Sequence, residues 1–331
     1  MKRSAPARLF HADALALADL VPAGTVDLAY LDPPFAVGVA FRARTARGEH
    51  RARGPVAYDD RWDTLDHYLA WLEARLAVVR DLLAPRGAMW LHLDARAVHD
   101  AKCRCDRVFG AAAFRGEIIW VPGNGIKSRH GPGLGHQTLL LYARRDDYVW
   151  NARDPVLREP HAATSLSMHF RSRDENGRLY RDRTVGKKTY RYYADEGRAL
   201  GTVWTDCPSM VANTPLSPET TGYPTQKPKK LLDRIVRATS DDGATVLDPF
   251  AGSGTTLEAA VLAGRRAIGA DVSPLAIRTI EARMERAGLA LEIVRPPLRR
   301  SPGAPTASAE SPKRGGGRAR PPRTTGGTRR G

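Results

Sequence analysis

With 331 residues the chain can bury one large α/β core and leave material for a smaller module or a tail. It contains no run of about 18 apolar residues, and the opening MKRSAPARLF lacks the apolar centre of a secretory leader. A membrane-spanning helix is therefore not expected, and the bacterial or phage cytoplasm is the expected compartment. The 52 Lys and Arg outnumber the 36 Asp and Glu, for a net charge of +16.

Half of that excess lies in Arg299 to Gly331, where nine basic residues and one acid, Glu310, are set among Pro, Gly, Ser and Thr. So few apolar residues cannot offset the entropy of ordering, and the expectation is a disordered tail able to touch nucleic acid without sequence preference. The other half belongs to the folded part and suits a polyanionic partner. Cys103, Cys105 and Cys207 lack the His or second Cys pair of a zinc site, so no metal is expected.

Strand and helix patterns alternate along the chain, which argues for a parallel sheet covered by helices. Thr25 to Leu31 reads as a buried strand that stops abruptly on YLDPPF, Tyr30 to Phe35. His67 to Leu83 carries Leu69, Leu72, Leu76, Val79 and Leu83 at helical spacing, and Pro85 and Gly87 end it before a strand at Ala88 to Leu93. A helix is expected at Arg96 to Phe109, and strands at Glu117 to Val121 and Thr138 to Tyr142. From Arg153 to Tyr223 the sequence is polar and irregular, with Tyr180, Tyr190, Tyr192 and Tyr193 scattered among Arg and Lys. Alternation then resumes: helix Lys229 to Thr239, strand Thr245 to Asp248, helix Thr255 to Ala263, strand Ala267 to Ala270, helix Leu275 to Ala287, strand Leu289 to Val294. No internal repeat is visible.

A second strand stops on an acid at VLDPFAGSGTT, Val246 to Thr256. Gly252 and Gly254 let a ligand approach the backbone, and the next helix offers its unpaired N–H groups there. A phosphate loop needs Lys-Ser/Thr directly after its last Gly, where this chain has Thr255 and Thr256; a dinucleotide fingerprint needs a third Gly where Leu257 stands. Asp271, at the end of the following strand, is placed to accept hydrogen bonds from ribose hydroxyls. A nucleoside cofactor without a pyrophosphate fits this pattern, and S-adenosylmethionine is the obvious one. Taken alone, the Gly-x-Gly is weak evidence, a structural turn being the lesser alternative.

Together with GYPTQKPKKLLDRIV, Gly222 to Val236, these segments resemble the DNA amino-methyltransferases of the N6-adenine and N4-cytosine type, over roughly residues 9 to 295. The DPPF segment precedes the glycine loop, as in the circularly permuted β group of that family. The resemblance implies a Rossmann-like methyltransferase fold in two halves, 1–152 and 223–295, with a target-recognition region at 153–222 and a tail from 296 onward. It implies catalysis by Asp32, Pro33, Pro34 and Phe35. Cofactor contacts are implied for Asp13, Thr225, Gln226, Lys227, Asp248, Pro249, Phe250, Gly252, Ser253, Gly254, Thr255 and Asp271, with Lys227 paired to the methionine carboxylate. YDDRWD (Tyr58 to Asp63) and GHQTLLLYAR (His136 to Arg144) are further matches, His136 the weaker.

The chemistry explains the odd strand end. An exocyclic base amine is a poor nucleophile because its lone pair is delocalised into the ring. If Asp32 and the Pro33 carbonyl each accept one amine hydrogen, the nitrogen moves towards tetrahedral geometry with its lone pair aimed at the methyl donor. The two prolines fix the backbone and offer no competing N–H, and Phe35 can stack on the base. Base flipping is required, since the target nitrogen is buried in the duplex. Arg42, Arg44, Arg47, Arg51 and Arg53 are expected to grip phosphates nearby, and Arg181, Arg183, Lys187, Lys188 and Arg191 to read duplex DNA. Aspartate at the start of DPPF leans towards adenine N6, with cytosine N4 the runner-up and an inactive DNA-binding protein the alternative of another class. Dimers are common in the β group, so a homodimer is an expectation of the same resemblance, and any restriction endonuclease partner would be a separate chain.

Overall fold

The computed structural model describes residues 6–43, 54–123, 125, 127–210 and 219–296. The first half runs β1 (Ala7–His11), α1 (Leu17–Leu20), β2 (Val26–Leu31), β3 (Ala40–Arg42), β4 (Val56–Asp59), α2 (Leu65–Leu82), β5 (Leu83–Leu93), α3 (Val98–Phe109), β6 (Phe114–Trp120) and β7 (Gln137–Ala143). Small elements follow: β8 (Arg158–Glu159), α4 (Ala163–His169), β9 (Ser172–Arg173), β10 (Leu179–Val185), β11 (Lys188–Tyr193), β12 (Arg198–Ala199) and β13 (Val203–Trp204). The last part is α5 (Lys229–Thr239), β14 (Thr245–Asp248), α6 (Thr255–Leu262), β15 (Arg266–Asp271), α7 (Pro274–Arg286) and β16 (Leu291–Val294).

One nine-stranded sheet carries the architecture, in the order β13-β6-β7-β5-β2-β14-β15-β1-β16. Alternate residues of each strand face opposite layers. Leu28 and Tyr30 of β2 pack with α5, α6 and α7, whereas Ala29 and Leu31 pack with α2 and α3. The sheet is mixed, not wholly parallel as expected, because β7 runs antiparallel to both β5 and β6. The helix α2 starts two residues before its expected position because Thr64 caps it, its hydroxyl accepting the His67 N–H at 3.1 Å.

The strands β5, β2, β14, β15 and β1 lie side by side and parallel. Each ends on an aspartate or is followed by one within two residues, giving Asp94, Asp32, Asp248, Asp271 and Asp13 in a row along one sheet edge. Open α/β sheets bind ligands in the crevice at this carboxyl edge. The region expected to be irregular contains its own three-stranded sheet, β11-β10-β9, a β8–β12 pair, and β13, which adds to the central sheet beside β6. Among the described residues no helix is long and apolar enough to cross a membrane. No cluster of His, Cys, Asp or Glu there could hold a metal ion.

Candidate active site

The carboxyl edge opens into a cleft enclosing about 1000 Å³ of empty space, its open mouth included. It brings together Asp13, the corner Asp32 to Phe35, Tyr58, Asp60, Trp71, the loop Tyr223 to Lys227, Asp248 to Ser253, Thr255 and Asp271. Nearly every residue expected at the site therefore lines one cavity, although those residues span most of the chain. His136 is exposed and outside the lining. Arg44, Arg47, Arg51 and Arg53 lie outside the described residues, and Arg42 donates to its own loop at Gly54 O, 2.9 Å.

The DPPF corner is held by Asp60, a residue of the YDDRWD segment to which the sequence assigned no role. The carboxylate of Asp60 is buried and accepts three successive backbone N–H groups, from Phe35 (3.1 Å), Ala36 (2.9 Å) and Val37 (3.0 Å), as well as the Trp62 indole N–H at 3.0 Å. This nest lets Ala36 hold a left-handed backbone, φ 56°, that L-residues avoid. The other non-glycine residue in that region among those described is Thr225, φ 59°, on the opposite wall of the cleft, and Tyr58 Oη meets its hydroxyl at 3.2 Å. Such outliers concentrate where surrounding structure over-determines a functional loop. Asp60→Ala would strand four donors, at about 1–3 kcal/mol for each that stays buried. It is expected to lower both the melting temperature and kcat while cofactor affinity changes little, since Asp60 bonds the DPPF corner and not the glycine turn; thermal unfolding and calorimetry check this.

Lys227 does not stand free for a cofactor carboxylate. Its ammonium donates to both Asp32 oxygens, at 2.6 and 2.5 Å, and lies 5.0 Å from the centre of the Phe35 ring. The Asp32 side chain is 17% exposed, enough to be reached from the cleft. Burial raises the Asp32 pKa above the usual carboxylate range, and Lys227 opposes that shift. Behind the corner, Tyr30 Oη and His92 Nδ1 are 2.7 Å apart, and the His92 ring lies 5.9 Å from Phe35 and 5.4 Å from Trp120. Burial, with Lys227 adding to it, pushes the His92 pKa well down, so the ring is neutral. His92 was invisible in the sequence, since a lone His in an apolar strand carries no signal.

On the other wall, Asp271 accepts the Gly252 and Ser273 N–H groups, each at 2.8 Å, which fixes the glycine turn to the end of β15. Gly252, φ 49°, lies beneath the Tyr223 ring, 3.4 Å from where a Cβ would stand. Gly254 also has a packing role: a Cβ there would come within 2.9 Å of Ile280 on α7. Gln226 likewise braces its own loop, its carbonyl accepting the Thr221 N–H and hydroxyl and its amide donating to Glu219 O. Ser253 and Thr255 share a hydroxyl–hydroxyl contact of 3.0 Å. Asp13 pairs with buried Arg75 at 2.6 Å, and Arg75 lies over Trp71, which packs on Phe250.

Asp248 tests whether the cofactor suits this wall. Its carboxyl is buried and accepts the Phe250 N–H at 3.0 Å; burial chiefly, with Asp32 and Asp271 adding to it, pushes its pKa up to about 7. A buried acid with no ion-pair partner among the described residues, lining the cleft next to a glycine turn, suits a ligand carrying an ammonium and a sulfonium. S-adenosylmethionine fits on that ground, with Asp248, Asp271, Gly252 and the Trp71–Phe250 pair as the residues that would hold it.

A carboxyl-edge cleft joining a glycine turn to an Asp-Pro-Pro-aromatic corner places the protein among the Rossmann-like methyltransferases. The sequence pattern of the N6/N4 DNA methylase family matches residues 26–282, and the chain belongs to that family. Its cofactor is S-adenosylmethionine. Among curated relatives, the type II methyltransferase M.EcaI of Enterobacter cloacae is 28% identical over 307 residues, covering 77% of this chain and 64% of its own. The chain thus spans a little under two thirds of that relative. The DNA adenine methyltransferase YhdJ of Escherichia coli K12 is 27% identical over 267 residues, 80% of this chain and 78% of its own. The fold is shared with the DNA modification methylase TTHA0409 of Thermus thermophilus (TM-score 0.51, 22% identity, 87% of this chain and 99% of that one). It is also shared with the cytosine-N4-specific PvuII DNA methyltransferase (TM-score 0.54, 15% identity, 85% and 87%).

Proposed function

We propose that this protein transfers a methyl group to the N6 amine of adenine at a specific site in double-stranded DNA, after the target nucleotide is flipped out of the helix. The observation that carries the reading is Asp32, which lines the same cleft as Phe35 and the glycine turn. When bound, S-adenosylmethionine supplies the electrophilic methyl. Asp32 accepts one amine hydrogen and the Pro33 carbonyl the other, which localises the nitrogen lone pair. A carboxylate has about four lone-pair sites, so Asp32 can accept the amine while still accepting from Lys227. Phe35, backed by neutral His92, gives the flipped base a stacking face. Once methylated, the cationic amine loses its proton readily, so no strong base is needed.

Adenine is favoured over cytosine N4 by the aspartate that opens DPPF and by the similarity to YhdJ, a DNA adenine methyltransferase. The intact corner argues against an inactive DNA binder. The reading places the enzyme in the cytoplasm and takes residues 153–222 as the target-recognition region. A second copy of the chain and a separate restriction endonuclease are the further partners it anticipates.

The test is kinetic single-molecule sequencing of DNA from a methylation-free bacterial host expressing the chain, beside Asp32→Ala. N6-methyladenine at a short recurring motif, absent from the control, is the expected result. N4-methylcytosine there would move the assignment to cytosine. Unmodified DNA from the unaltered chain, with cofactor binding intact, would overturn the DNA reading.

A further inference from the structure

The strands β10 and β11 form a ribbon whose residues from Asp182 to Tyr192 are all exposed, so solvent bathes both of its faces. The register assigns those faces. Directly opposed residues of an antiparallel pair share a face, and the opposed pairs are Arg181–Tyr192, Asp182–Arg191, Arg183–Tyr190, Thr184–Thr189 and Val185–Lys188. Alternate pairs point to opposite sides.

One face is chemically complete. Arg191 makes a two-pronged contact with Asp182, 2.9 Å for each bond, and lies 3.7 Å from the centre of the Tyr180 ring. Thr184 and Thr189 join hydroxyls at 3.0 Å. The opposite face carries Arg181, Arg183 and Lys188 against Tyr190 and Tyr192, which are 46% and 37% exposed. No ion pair neutralises Arg183 or Lys188 among the described residues, and Arg181 lies between the Phe170 and Tyr192 rings, at 5.3 and 5.5 Å. Arg191, expected among the DNA contacts, thus belongs to the self-neutralised side.

Resting on the DNA reading above, we propose that this ribbon enters the major groove of the duplex with its Arg183–Tyr190 face towards the nucleic acid and its Asp182–Arg191 face turned away. The major groove admits a two-stranded β-ribbon, and the opposite charge of the phosphates complements the unpaired cations. The rigid fork of Arg183 suits two-pronged contact with a guanine edge, and Lys188, a point charge beside the turn, suits a phosphate.

The test measures fluorescence anisotropy of a labelled duplex carrying the methylated motif, and of a scrambled duplex, with the full chain across a salt series. Arg183→Ala is expected to weaken binding to the motif about tenfold and to relax the sequence preference. Lys188→Ala is expected to weaken both duplexes alike and reduce the salt slope by about 0.9. The other-face variant Thr184→Val/Thr189→Val should match the unaltered chain. All these side chains are exposed, and unchanged S-adenosylmethionine binding by calorimetry confirms an intact fold. Unaltered affinity, slope and methylated motif in both cation variants would overturn the ribbon assignment and leave DNA methylation standing. An unaltered chain that neither binds nor methylates duplex DNA would remove both.

Discussion

Asp32→Ala is expected to lower kcat for methyl transfer by at least about 10²-fold, the loss typical when one preorganised hydrogen-bond partner of a transition state is removed. The effect should fall on kcat, because the acceptor matters most as the amine nitrogen pyramidalises, and not on the Kd for S-adenosylmethionine, which is expected to rest on Asp248, Asp271 and the glycine turn. Asp32→Asn keeps one acceptor oxygen but weakens the contact with Lys227, and should lie between the two. Radiolabelled methyl incorporation into DNA gives the rates, and calorimetry the affinity. An alanine variant with a near-native rate would remove Asp32 from the chemistry.

The second large effect concerns pH. The proposed role of Asp32 requires its carboxylate form, and Lys227, at 2.5 Å, opposes the upward pull of burial on its pKa. In Lys227→Met that opposition is gone, so the Asp32 pKa rises further and a larger fraction is protonated at any pH near neutrality. The acid limb of the kcat profile should therefore move to higher pH, and raising the pH should recover much of the rate lost at pH 7. A purely structural lesion would lower the rate at every pH without moving the limb. If Lys227 instead served only a cofactor carboxylate, its loss would raise KM for S-adenosylmethionine and leave the profile in place.

The parts of this fold that were legible in the sequence are those buried on both faces. The strands β2, β5, β14 and β15 read as apolar runs, and the acids that end β2, β14 and β15 stood out against them. β1 escaped because ARLFH is five residues long and interrupted by Arg8. The ribbon escaped because neither of its faces is buried, so no apolar alternation marks it and Gly186 was the sole cue. The site residues with recognisable motifs were found. Asp60 was not assigned its role because its partners are backbone N–H groups, which every sequence has. The contact between Lys227 and Asp32 joins positions 195 apart, a distance no local pattern spans.

The row of aspartates along the sheet edge bears on turnover. Four of its members, Asp13, Asp32, Asp248 and Asp271, line the cleft. A wall so rich in carboxylates favours a cation over a neutral ligand of the same shape. The methyl donor enters with a sulfonium charge, and the sulfide left after transfer has none. Because Asp13 and Asp32 already pair with Arg75 and Lys227, that discrimination falls to Asp248 and Asp271, and the spent cofactor is expected to bind more weakly than the fresh one, which calorimetry with each would check.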